Sequence, residues 1–108
     1  MTSDEALNAM LQSWKDLAEW LTDDEVNDGN PVWGDQFFLT APSADDFWEA
    51  YACDESAVYQ HRACKGKTAA EALTKLVAVV RKHHDELRSR LEVARAVGLL
   101  AKRRRENA

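Results

Sequence analysis

Two cysteines, two prolines and four glycines are few for a chain of 108 residues. So few breakers exclude a collagen-like or low-complexity chain, and two thiols cannot by themselves complete a zinc site or a disulfide-dense scaffold. No apolar run approaches the roughly 20 residues needed to span a bilayer, so no membrane segment is expected. The start Met1-Thr2-Ser3-Asp4-Glu5 lacks the basic residues and apolar stretch of a secretory signal, and the cytoplasm is the expected location. A glycine-rich phosphate loop, a nucleophile elbow and a His-Glu-x-x-His pair are also missing. Without them catalysis has no motif, no cofactor is expected, and function becomes a question of surfaces. What is present, 45% apolar and 31% charged residues with four Trp, suits one soluble domain over residues 1–108.

Bases are almost absent from the first half. Residues 1–56 hold fourteen carboxylates against the single base Lys15, a balance of -13, whereas residues 57–108 hold five against thirteen, a balance of +8. The net charge of -5 is their difference. Either the two halves pair inside the fold, or they form separate surfaces for partners.

The hydrophobic spacing predicts an α+β chain: an N-terminal helix, a small antiparallel sheet of about three strands, and a long C-terminal helix. Thr2 or Ser3 caps a helix over about 4–22, with Asp4 and Glu5 suiting the positive end of its dipole. Leu7, Met10, Trp14, Leu17 and Leu21 form its apolar stripe, widened by Ala6, Leu11 and Ala18, with Trp20 at a core edge. The helix is expected to end in Thr22-Asp23-Asp24-Glu25, before the turn-rich Asn27-Asp28-Gly29-Asn30-Pro31. Phe37, Phe38 and Leu39 fit a short buried strand over about 36–40. Strands over about 47–53 and 57–65 then make a hairpin around Asp54-Glu55-Ser56, with Trp48, Ala50 and Ala52 on one face and Phe47, Tyr51 and Cys53 on the other. Gly66-Lys67-Thr68 stops the sheet, and Thr68-x-x-Glu71 reads as a capping box opening a helix over about 68–101. Its stripe is Leu73, Val77, Val80, His84, Leu87, Leu91 and Ala94. A straight helix of that length is near 45 Å, against a radius of gyration of about 13 Å for a compact domain. It therefore either bends or breaks around His83-His84-Asp85, or its second half projects and needs a partner, such as a second copy in a homodimer, to cover Leu87, Leu91 and Ala94, which the first helix can cover only in part.

Candidate chemistry is thin. Cys53 and Cys64 fall near each other across the hairpin in its simplest register and read as small buried thiols; with His61, His83 and His84 they match no metal-ligand spacing, so no metal is expected. Aligning Gly29 with the sharp-turn glycine of a calcium loop puts Val26 where an oxygen ligand belongs and Asp35 where a bidentate Glu belongs. His84, within an apolar stripe, reads as a hydrogen-bonded packing residue ahead of a base or pH sensor.

Two surfaces remain as candidate sites. Asp16, Glu19, Asp23, Asp24, Glu25 and Asp28 can occupy a basic groove that otherwise holds nucleic acid, with Trp33 and Trp48 as exposed aromatic anchors. Alternatively, Arg88, Arg95, Lys102, Arg103, Arg104 and Arg105 neutralise phosphates of a nucleic acid.

The stretch Ala57-Val-Tyr-Gln-His-Arg-Ala-Cys-Lys-Gly-Lys-Thr-Ala-Ala-Glu-Ala-Leu73, a strand running into Gly-x-Thr-x-x-Glu-Ala-Leu, resembles a pattern in small phage and prophage proteins and is similar to HicB-type antitoxins. The resemblance covers under a quarter of the chain and makes Gly66, Thr68, Glu71, Ala72 and Leu73 structural residues. It implies a small mobile-element protein that acts by binding. With the acidic half, it leads us to expect a phage-encoded, non-enzymatic inhibitor of a host nucleic-acid-targeting defence complex, of the anti-CRISPR kind. A HicB-like regulator using the basic helix and a structural homodimer are the alternatives.

Overall fold

The computed structural model describes residues 1–27, 36–43, 45–53 and 64–107, with the backbone alone at 26, 27, 36, 53, 100 and 101. It is α+β: helix α1 (Ser3–Trp20), short helix α2 (Asp23–Asn27), strands β1 (Gln36–Thr40), β2 (Trp48–Cys53) and β3 (Cys64–Gly66), and helix α3 (Ala69–Glu106). Among the described residues, no helix is long and apolar enough to cross a membrane.

Three Thr-x-x-Glu sequences open the three helices. Thr2 caps α1 reciprocally: its hydroxyl accepts the Glu5 N–H at 3.2 Å, and the Glu5 carboxylate accepts the Thr2 N–H at 3.1 Å. Thr22 and Glu25 repeat this at α2, at 3.2 and 2.9 Å. The helix expected over 4–22 thus stops at Trp20, and the Thr22-Asp-Asp-Glu25 segment taken as its end begins a new helix. Thr68 accepts the Glu71 N–H at 3.1 Å to start α3, but Glu71 reaches the N–H of Lys67, one residue earlier than a capping box requires.

The sheet is antiparallel in the order β1-β2-β3. The first strand matches its expected bounds, and the second begins one residue later than expected. Of the strand expected over 57–65, only the end falls on described residues, and the Asp54-Glu55-Ser56 turn lies outside them. β3 extends to Gly66, which pairs with Trp48 and so belongs to the sheet that it was expected to terminate. Cys64 stands opposite Ala50, three positions along β2 from Cys53, so the two cysteines are not cross-strand neighbours. Ala50 and Ala52 are buried and Trp48 packs beside them, as the alternation predicts. On the other face Phe38 stacks on its register partner Tyr51, with ring centroids 5.0 Å apart. Phe38 and Leu39 remain 42% and 43% exposed, so β1 is not the buried strand expected from its run of apolar residues.

Helices α1 and α3 run parallel, because their contacts advance together along both chains. The Thr74 hydroxyl reaches the Met1 carbonyl, Ser13 reaches His84, and Arg95 reaches the Trp20 carbonyl. Their seam has two apolar sections. Ala6 and Met10 join Ala50, Ala52 and the Leu73, Leu76, Val77 and Val80 stripe; farther along, Leu17 meets Leu87 and Leu91, with Trp20 and Leu21 against them. The α1 stripe is rotated from the expected one, since Leu11 and Ala18 are exposed while Ala6 is buried. The buried stripe of α3 stops at Leu91, and Ala94 is exposed. Helix α3 is a single helix of 38 residues, longer than the expected 68–101, in a molecule of 65 × 25 × 16 Å with a radius of gyration of 17.4 Å. It is one element through His83-His84-Asp85, and its second half does not need a partner to cover Leu87 and Leu91, which pack on Leu17 of α1; only the turns beyond Arg95 run past α1.

Candidate functional site

The site is built where α1 ends. Four carboxyl-terminal carbonyls of any helix lack partners within it. In α1 the Trp20 carbonyl accepts a hydrogen bond of 2.9 Å from Arg95 Nη2. The same guanidinium lies 3.7 Å from the centroid of the Trp20 ring and forms a two-point ion pair with Glu25, including Nε to Oε2 at 3.0 Å. Arg88 stands over the ring as well, at 4.9 Å. One planar cation thus ties the end of α1, the first turn of α2 and the outer part of α3 together.

This junction changes the meaning of two expected contact residues. Glu25 is not a displayed ligand: its side chain is 13% exposed, and Arg95, helped by the Thr22 N–H, holds its carboxyl down at about 2. Arg95, expected to contact phosphates, is committed to Glu25, which pushes its own pKa up. The Glu25 carboxylate has an ordinary value of 4.5 when unfolded, so its contribution to stability is complete above that pH and is lost as pH falls toward about 2. Glu25→Gln is expected to flatten this acid limb in thermal unfolding followed between about pH 5 and pH 2. An unchanged limb would show that the pair does not hold α2.

The remaining carboxylates are displayed. Asp16, Glu19, Asp23 and Asp24 are exposed, and among the described residues no base lies within ion-pair distance of any of them. Asp16 accepts a hydrogen bond of 2.8 Å from Gln12. Asp28 and Trp33 lie outside the described residues. Trp48 is half-buried on the inner face of β2, packed on the core, and does not serve as an exposed anchor.

The two oppositely charged halves meet at few points. Across them the described ion pairs are Glu25 with Arg95, and Asp45 and Glu49 with Lys65 at 3.0 and 3.4 Å. Other pairs are short-range and exposed within α3, such as Arg88 with Glu92 and Lys102 with Glu106, and contribute little. Lys102, Arg103, Arg104 and Arg105 are exposed on the last turns of α3.

Sequence reasoning missed Ser13. Its hydroxyl lies 2.7 Å from His84 Nδ1, and His84 is only 3% exposed. A groove of about 240 Å³ beside them is lined by Gln12, Asp16, Arg81 and Arg88. A hydroxyl and an imidazole at this distance can activate a nucleophile; both also line this groove, although the ring is almost wholly buried, and the pair joins α1 to α3. Burial pushes the Cys64 thiol pKa up, which suppresses the reactive thiolate. No group of three metal-ligating side chains occurs among the described residues. No family model, curated protein or solved structure matches this chain.

Proposed function

We propose that this chain is a non-catalytic binding protein whose acidic α1–α2 face occupies a basic, nucleic-acid-binding groove on a partner complex. One observation carries the reading: the Arg95 junction fixes α2 against α1 and consumes Glu25 alone, leaving Asp16, Glu19, Asp23 and Asp24 unneutralised on ordered helices. Carboxylates carried on already folded helices spare the backbone ordering cost on docking and attract a basic surface at long range. An anti-CRISPR-type inhibitor encoded by a phage acts in this way, by excluding nucleic acid from a host defence complex. The revised contact set is Asp16, Glu19, Asp23 and Asp24.

The test is displacement of a labelled nucleic acid from a panel of purified CRISPR effector complexes. The chain is expected to displace it from a susceptible complex, and reversal of the four carboxylates to Lys is expected to weaken displacement by at least about tenfold. Displacement that survives the reversal would remove the acidic face from the mechanism.

A further inference from the structure

The groove between α1 and α3 carries charges that the acidic docking face does not use. Its α3 wall holds Arg81, His84, Asp85 and Arg88, at offsets of three, four and seven residues and so on one face of that helix. The α1 wall adds Gln12, Ser13 and Asp16. Leu17 and His84, 2% and 3% exposed, form the floor, and the space is about 240 Å³. Sites for drug-sized molecules run from roughly 300 to 1,000 Å³, so this one suits a smaller ligand.

Two of these charges stay open where similar ones close. Helix α3 has four pairs in which an acid follows a base by four residues, and Lys82 with Glu86, Arg88 with Glu92 and Lys102 with Glu106 approach to 3.9, 3.9 and 4.0 Å. Arg81 and Asp85, the pair on the groove, do not close: the aspartate is one methylene shorter, and neither side chain has an ion pair or hydrogen bond among the described residues. An exposed cation and an exposed anion thus stand unneutralised, one helical turn and about 6 Å of rise apart. On the other wall Asp16 lies near the level of Asp85, because the helices run parallel with Ser13 against His84, and Gln12 steadies it at 2.8 Å. Arg88 is taken up by Trp20 and Glu92.

We propose that this groove binds a small zwitterion of dipeptide length, its carboxylate on Arg81 and its ammonium between Asp85 and Asp16. The mixture of signs selects the class. A simple anion such as phosphate meets two carboxylates in the groove, and a simple cation meets two guanidiniums, whereas a molecule with one charge of each sign satisfies both. Length follows from the spacing, since an extended dipeptide spans up to about 7 Å and the rise from Arg81 to Asp85 is about 6 Å. The planar guanidinium can take the carboxylate through two parallel hydrogen bonds. The groove takes this ligand whether or not the acidic face docks on a partner: Asp16 belongs to both, but Arg81 and Asp85 belong to the groove alone.

Titration of the isotope-labelled full chain with glycylglycine, followed by NMR, is expected to shift signals from both walls of the groove and to give a Kd on the order of 1 mM. Glycylglycine blocked at both termini, and inorganic phosphate, are each expected to bind at least about tenfold more weakly. Arg81→Gln and Asp85→Asn are each expected to weaken glycylglycine binding at least about tenfold with the melting temperature unchanged, since both side chains are exposed and unpaired. Lys82→Gln with Glu86→Gln, one residue along and outside the groove, is expected to leave binding as it is. No shift at about 50 mM glycylglycine would overturn the proposal. So would equal binding of the blocked dipeptide or of phosphate, binding that survives Arg81→Gln or Asp85→Asn, or an equal loss on changing Lys82 and Glu86.

Discussion

Gly66→Ala is expected to destabilise the chain by about 3 kcal/mol, lowering its melting temperature by roughly 10–20 °C. Gly66 is buried where β3 passes under the first turn of α3. A Cβ built there lies 2.5 Å from the Ala72 nitrogen and 2.9 Å from both the carbonyl carbon and Cβ of Glu71. Two of these three atoms are backbone, so relief requires moving β3 away from α3 rather than turning a side chain. That movement would open the contact between the sheet and Ala72, which is fully buried. Gly98 supplies the opposite case. It is exposed within α3 with nothing within 4 Å of the added carbon, and Gly98→Ala is expected to stabilise by about 0.5–1 kcal/mol through helix propensity alone. Chemical denaturation of both variants checks the contrast. A cost below about 1 kcal/mol at Gly66 would mean that strand and helix do not approach this closely.

His84→Ala is expected to cost about 3 kcal/mol, and His84→Leu about 1 kcal/mol. The imidazole sits between the Val80 and Leu87 turns, at the boundary of the two apolar clusters, bonded to Ser13. Alanine leaves a cavity and removes the partner of the Ser13 hydroxyl, whereas leucine loses that polar contact but refills the space. The pair's second role is register. A slide of α1 along α3 by one turn would separate Ser13 from His84 and press a buried polar ring against apolar side chains, much as a single polar residue pins the register of a coiled coil. Urea unfolding measures the two costs, and amide exchange across α1 reads the register, with His84→Leu expected to lose protection there beyond its loss of stability. Equal costs for Ala and Leu would assign all of the effect to the hydrogen bond and none to packing.

These positions were unequally legible in the amino-acid order. The α3 stripe through Leu91 was readable because helical periodicity is local, and Thr68 announced its start. The same Thr-x-x-Glu pattern at Thr22 is a weaker local signal, because the acids after it equally suit the end of a longer helix. The apolar run in β1 promised burial that the sheet's open face does not provide, since burial depends on what covers a strand. Glu25 reads as a ligand from sequence because its partner, Arg95, lies 70 residues away and no local rule connects them. Ser13 was unremarkable for the same reason: its meaning depends on a helix 71 residues distant. The charge asymmetry was legible from the start, but only the fold separates carboxylates already paired from those still displayed.

The most direct measurement is nucleic-acid displacement from a purified, susceptible effector complex, with wild type, the Glu25→Gln variant and the variant reversing Asp16, Glu19, Asp23 and Asp24 compared at one salt concentration. The account predicts full displacement by wild type, weaker displacement by Glu25→Gln because α2 loses its anchor, and a loss of at least about tenfold on reversal. Equal displacement by all three would contradict it.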